Sequence, residues 1–179
     1  MRIAKTLPLS LALAGLATPA LALEQGDTYI GGGYSMITYE ADAIPDVEPT
    51  ALITRFGYGV ADQIAIEGRF GLGISDDEIG STGLDAELDQ LAGIYGVGYL
   101  PIIDRFSLYG LIGLTYGELS IPVPGTSVEI TDDDTDFSYG FGGQFDFNDE
   151  ISGFVEWAQY FDESDYEVTG LTLGLNVHF

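Results

Sequence analysis

From Leu171 to the final residue, Phe179, every second side chain is large and apolar: Leu171, Leu173, Leu175, Val177 and Phe179. Between them stand Thr172, Gly174, Asn176 and His178, all small or polar. A strand turns successive side chains to opposite faces, so this segment has one apolar and one polar face. An aromatic last residue on the apolar face suits a strand lying against lipid. It does not suit the end of a water-soluble domain.

The other end of the chain agrees. Arg2 and Lys5 form a positive n-region, Leu7 to Ala17 an apolar h-region, and Ala20-Leu21-Ala22 an A-x-A cleavage site. Residues 1–22 therefore read as a secretory signal peptide rather than a transmembrane anchor, leaving residues 23–179 as one domain of 157 residues. Cleavage takes the formal net charge from −24 to −26 and leaves no lysine and three arginines, Arg55, Arg69 and Arg105. Nucleic-acid binding needs a basic footprint and is excluded. With no cysteine, an exported chain must be held by something other than disulfides, such as a closed backbone hydrogen-bond network. No apolar run after the signal is long enough for a transmembrane helix. The chain is nonetheless 46% hydrophobic, a tension that strands with one lipid-facing side resolve.

Period-two alternation marks eight segments: Thr28–Tyr39, Thr50–Val60, Ile64–Ser75, Asp89–Leu100, Phe106–Glu118, Thr135–Phe147, Ile151–Asp162 and Tyr166–Phe179. The connections at Ala61–Gln63, Pro101–Arg105 and Asn148–Glu150 are short. Those at Glu40–Pro49, Asp76–Leu88 and Leu119–Asp134 are long, while Glu163–Asp165 breaks the pattern. Short turns at one end and long loops at the other predict an all-β, eight-stranded, antiparallel up-and-down transmembrane β-barrel.

Facing follows from volume. An eight-stranded barrel is filled by its own side chains or holds one small ligand. The rows Phe137, Tyr139, Phe141, Phe145, Phe147 and Ile64, Ile66, Phe70, Leu72, Ile74 would overfill it. The opposite rows, rich in glycine, alanine and serine with a few long charged residues, would fill it well. The expectation is apolar side out, against the alternative of a soluble ligand-binding barrel. Tyr99, Phe106, Phe147 and Phe179 are expected to girdle one rim, and Tyr116, Phe137 and Phe161 the other. Two strands resist assignment: Tyr29 and Tyr39 share a parity with Gly31, Gly33 and Ser35, and Gln159 falls on the lipid parity.

On these features the chain resembles the porin-like family of small outer-membrane β-barrels, which includes the barrel of outer membrane protein A, outer membrane protein X and the opacity proteins. The resemblance rests on the signal peptide, the eight alternating strands, the glycine-rich stretches Tyr95–Tyr99 and Tyr139–Gly143, and the terminal row. It implies the cell outer membrane, with lipid and lipopolysaccharide around a monomer. It also implies that Leu173, Leu175, Val177 and Phe179 form the signal read by the barrel assembly machinery. No sequence follows Phe179, so no peptidoglycan-binding domain is expected.

Four constellations could carry function. Arg55, Glu67, Arg69 and Glu156 face inward; a three-residue turn sets Arg55 opposite Arg69, with Glu67 one step diagonal and Glu156 across the lumen. They form either a charged plug or a gate. Most of the 29 acidic residues lie in or beside the four loops, either as a solvated rim or as loose divalent-cation ligands. Asp132, Asp134 and Asp136 mimic the start of an EF-hand, making Asp132, Asp133 and Asp134 weak metal candidates. The match fails at Phe137 and Gly143, where glycine and glutamate are required. The one histidine, His178, reads as a polar residue at the barrel base, so no catalysis and no cofactor are expected. Residues Ile121 to Gly125, with Pro122 and Pro124, form a stiff loop tip that could contact a partner. The function expected is a structural or cell-surface role. A narrow passive channel is the alternative, and a soluble ligand carrier or a lipid-modifying enzyme stands behind both.

Overall fold

The structure, a computed structural model, describes residues 23–41, 44–75, 77–78, 85–122, 129–162 and 166–179. Residues 1–22, read above as a signal peptide, and residues 123–125 of the proline-containing tip lie outside them. Eight long strands follow one another: β1 (Thr28–Ala41), β2 (Thr50–Ala61), β3 (Ile64–Ser75), β4 (Asp85–Ile103), β5 (Phe106–Pro122), β6 (Glu129–Asp146), β7 (Ile151–Asp162) and β8 (Tyr166–His178). Each pairs antiparallel with the next, and β8 returns to β1 from Tyr29↔His178 to Ala41↔Tyr166. The sheet is closed, and the expected barrel is the one observed. Two short strands outside the wall, Ile44–Val47 and Asp77–Glu78, pair with β1 and β4. Among the described residues no helix is long and apolar enough to cross a membrane.

Leu23 and Phe179, the first and last described residues, lie at the end with short turns, hereafter the turn end. Residues Asp62–Gln63 and Asp104–Arg105 make two of these turns, with Gln63 (φ 64°) and Arg105 (φ 72°) in the left-handed region. Each is accompanied by a bulge in the preceding strand, between Gly59 and Ala61 and between Pro101 and Ile103. The first hairpin is therefore a two-residue turn plus a bulge, not a three-residue turn. The extra residue restores the count, and Arg55 still lies opposite Arg69. Pro101 continues β4 because it lies beyond the last β3 partner, Ile64↔Gly98, where no ladder needs its missing N–H.

At the opposite, loop end, β4, β5 and β6 run further than alternation predicts. Pairing continues through Glu87↔Ser120, Leu119↔Asp132 and Pro122↔Glu129. Backbone ladders do not require apolar side chains, so the period-two signal stops before the strands do.

The apolar rows face outward. Phe137, Tyr139, Phe141, Phe145 and Phe147 are exposed, as are Ile64, Ile66, Phe70, Leu72 and Ile74. This is the reverse of a soluble ligand-binding barrel. In β1 the ambiguity resolves with Tyr29, Ser35 and Ile37 inside and Ile30, Tyr34 and Met36 outside. In β7, Val168 pairs with Phe161 and Thr169 with Gln159, so Tyr160 is the extra residue of a bulge. Residues 158–161 are all buried there, which accounts for Gln159.

Two expectations about aromatics fail. Tyr99 and Phe161, 6% and 5% exposed, point inward and are not girdle residues. The lumen also holds Tyr29, Tyr95, Tyr109, Phe154 and Tyr160, so it is not simply small and charged. Glycines on neighbouring strands make the room. A Cβ on Gly57 would stand 2.0 Å from Tyr29 Cζ, and one on Gly142 would stand 2.4 Å from Tyr109 Cζ. Large and small residues interdigitate across strands rather than along them.

The interior is layered. Leu23, Tyr29, Ala65, Val97, Tyr99, Tyr109 and Phe154 belong to an apolar cluster at the turn end. Ile37, Ile53, Leu91, Ala158, Tyr160 and Phe161 belong to another toward the loops. Residues 23–27 fold over the turn end, where Gln63 N donates to Leu23 O (3.0 Å), Gly26 N to Gly59 O (2.8 Å) and Gly59 N to Asp27 O (2.8 Å).

Candidate functional site in the barrel interior

Between the two apolar clusters lies a charged layer. β2 supplies Arg55, β3 supplies Glu67 and Arg69, and β7 supplies Glu156 across the lumen; all four are buried. Like charges directly opposite each other destabilise a sheet, so the Arg55–Arg69 pair needs compensation. Two carboxylates provide it, and the four charges cancel.

Arg69 is the better held of the two. Its Nε donates to Glu67 Oε1 at 2.5 Å, its Nη2 to Glu156 Oε2 at 2.8 Å and its Nη1 to Glu156 Oε1. The two contacts with Glu156 are bidentate, the geometry that suits a guanidinium against a carboxylate. The remaining carboxylate valences go to tyrosines: Tyr29 OH donates to Glu67 Oε2 (2.6 Å) and Tyr109 OH to Glu156 Oε2 (2.9 Å). Arg55 is held differently. Its Nε donates to Asn176 Oδ1 at 2.8 Å. It lies 3.8 Å from Glu67 Oε2 and 3.6 Å from Glu156 Oε2, close enough for attraction and too far for a hydrogen bond. Its guanidinium covers the Phe154 ring, 3.5 Å from the centroid, while Arg69 lies 4.7 Å from the centroid of Tyr95.

The structure thus brings together all four residues that the sequence singled out. It adds Tyr29, Tyr109, Asn176 and Phe154, which sequence reasoning missed. The parity that Tyr29 shares with Gly31, Gly33 and Ser35 was the available signal.

Nearer the turn end, a neutral polar chain continues from Asn176. Its Nδ2 donates to Gln144 Oε1 and to Ser152 Oγ, both at 3.2 Å, and Gln144 Nε2 donates to Asp146 Oδ1 at 3.0 Å. His178 Nε2 lies 2.9 Å from Ser152 Oγ. His178 is at the barrel base, as expected, and Ser152 is fully buried beneath it.

At the loop end, Asp134 and Asp136 are tied into the fold. Asp134 accepts from Tyr166 OH and Thr135 N, both at 2.7 Å. Asp136 accepts from Phe137 N at 2.6 Å and Asp162 N at 2.9 Å. The side chains of Asp132 and Asp133 lie outside the described part. Among the described residues no group of three or more His, Cys, Asp or Glu could hold a metal ion. On β8, the residues Leu173, Leu175, Val177 and Phe179 form one exposed row, and Phe179 N donates to Thr28 O at 2.9 Å beside the β1–β8 seam.

Known proteins match this architecture. The sequence profile of the outer membrane protein β-barrel domain family matches residues 9–179. No curated protein sequence matches. Among solved structures, Ail, the attachment invasion locus protein of Yersinia pestis, is 19% identical with a TM-score of 0.65, covering 87% of this chain and 99% of its own. Neisserial surface protein A is 10% identical with a TM-score of 0.71 and covers 87% and 100%. OprG of Pseudomonas aeruginosa is 15% identical with a TM-score of 0.60 and covers 87% and 97%. At these identities the likeness is one of fold.

Proposed function

We propose, from the premise that this chain belongs to the outer membrane protein β-barrel domain family and resides in the cell outer membrane, that it is a monomeric, closed and non-catalytic barrel whose work is done at its acidic loop end. The observation that carries this reading is the filled lumen: a self-neutralised charged layer between two apolar layers. A conducting pore needs a continuous wet path, and each layer interrupts one. In a planar bilayer the refolded barrel is expected to give no unitary conductance. Regular open steps would favour a narrow passive channel, with Arg55, the more loosely paired arginine, as the moving part.

The surroundings of His178 support the non-catalytic reading. The lone histidine lies at the turn end, and its serine neighbour has no exposed surface for a substrate to reach. The acidic loops favour a surface role instead. Ail has been solved with the heparin analogue sucrose octasulfate, a polyanion. Here Arg55 and Arg69 are buried, Arg105 is in a turn-end connection, and residues 23–179 hold no lysine. The loop end has no cation with which to meet a polyanion, so its partners are cationic polymers or, more weakly, divalent cations.

Outer-membrane lipid and lipopolysaccharide cover the apolar wall, and the barrel assembly machinery reads the terminal row. Phe179→Asp should therefore remove most of the assembled barrel from cells, while Asp149→Asn, an exposed change at the same end, should not. Equal amounts of heat-modifiable barrel in both variants would remove the signal role.

A further inference from the structure

We propose that residues 23–27 are a strap that seals the turn-end mouth of the lumen, with the Leu23 side chain as its stopper. This deepens the closed-barrel reading and rests on it. The strap is a turn closed on itself: Asp27 N donates to Glu24 O (3.2 Å) and Glu24 N to Asp27 Oδ2 (2.8 Å). Gly26 stands third in its four residues with φ 100°, the place where a type II turn requires a left-handed residue.

The wall carries a seat for this turn. Gly26 N donates to Gly59 O and Gly59 N to Asp27 O, both at 2.8 Å. Gln25 N donates to Asp62 Oδ1 (3.2 Å) and Gln25 Nε2 to Val60 O (3.1 Å). Gln63, a left-handed residue of the β2–β3 turn, donates its N–H to Leu23 O (3.0 Å) and accepts from Tyr99 N (2.8 Å), which ties the strap to β4 as well as β2. The close approach depends on Gly59. A Cβ there would stand 2.3 Å from Glu24 O, and the next nearest atoms, Glu24 C and Asp27 O, also belong to the strap.

These bonds deliver the Leu23 side chain into the lumen. It is 2% exposed and joins the turn-end cluster of Tyr29, Val97, Tyr99, Tyr109 and Phe154. Two of those tyrosines end in the charged layer, Tyr29 OH on Glu67 and Tyr109 OH on Glu156. Water that entered the cluster would reach the ion pairs, whose attraction depends on dry surroundings. An apolar side chain with no hydrogen-bonding group keeps it out. The second apolar cluster lies beyond the charged layer, so the strap governs the turn-end half of the lumen alone.

The chain has no cysteine, so one introduced thiol reports solvent at its own site. Ala65→Cys places it in the turn-end cluster and Ala51→Cys in the loop-side cluster; both alanines are buried. The refolded barrel in lipid nanodiscs is treated with 2-aminoethyl methanethiosulfonate, and modification is followed by mass. With the strap seated, both thiols should react slowly. Two changes unseat the seal by opposite means: Gly59→Ala crowds the strap, and Leu23→Ser shortens the stopper and makes it polar. Each should speed modification at position 65 about tenfold or more, with position 51 and heat-modifiable gel mobility unchanged. Leu23→Met, apolar and of similar volume, should keep the slow rate. Unchanged rates at position 65 in both strap variants would overturn the proposal, as would fast modification there with the strap seated. Acceleration at both positions alike would make residues 23–27 a clamp on the whole fold and overturn the seal as well. Unitary conductance of the parent barrel would instead strike the closed-barrel reading, whatever the thiol rates.

Discussion

Glu156→Gln is expected to lower the unfolding free energy of the barrel by about 3–5 kcal/mol, the usual cost of removing one partner from a buried ion pair. Glu156 takes two hydrogen bonds from Arg69 and one from Tyr109, and it is the carboxylate nearer Arg55. Glutamine leaves two buried arginines with one carboxylate and offers a donor where Arg69 also donates. Glu67→Gln should cost less, because Glu67 takes one bond from Arg69 and one from Tyr29. Replacing Arg69 and Glu156 together by Met and Leu should recover much of the loss, since apolar residues of similar volume often replace a buried pair at little cost. Urea unfolding in lipid vesicles, followed by the fluorescence of the single tryptophan, Trp157, gives the measurement. A loss under about 1 kcal/mol for Glu156→Gln would mean that the charged layer is solvated and not a structural core.

Ile112→Arg is expected to cost about 2–4 kcal/mol in the same assay, whereas Phe147→Arg should cost about 0–1 kcal/mol. Both side chains are exposed, and in water neither exchange would matter much. Ile112 lies midway along β5, so an arginine there would sit at bilayer depth, while Phe147 follows β6 at the turn end. The expected contrast comes from depth alone. Equal costs at the two positions would place the apolar wall somewhere other than across a bilayer.

Facing was legible in the sequence because it needs only the parity within one strand. Leu108, Ile112 and Leu114 against Ser107, Tyr109 and Leu111 was enough to orient β5. The Arg55–Arg69 register was legible for a weaker reason: a bulge at the end of β2 made up for a turn one residue shorter than assumed. Properties that depend on a neighbouring strand were hidden. Tyr99 and Phe161 look like rim aromatics until the packing is known. In β7 the off-parity Gln159 signals an irregularity, but only the pairing with β8 locates the bulge at Tyr160. The charged layer was half visible. Long charged side chains on a small-residue face are conspicuous, while Asn176 and Tyr109, which finish their hydrogen bonding, lie on strands distant in sequence from Arg55.

The β1–β8 seam has a kinetic consequence. The other neighbours around the wall are consecutive in sequence and can zip as hairpins, each closing a small loop. The seam joins Tyr29 to His178, nearly the whole length of residues 23–179, and loop-closure entropy grows with the length closed. It is therefore the slow contact of this topology, the last to form as the barrel assembles and the first place where the wall can part. Residues 23–27 bond to the β2–β3 turn on the other side of β1, so they tie β1 to its hairpin neighbours and leave the seam to its own ladder and to the bond from Phe179 N to Thr28 O.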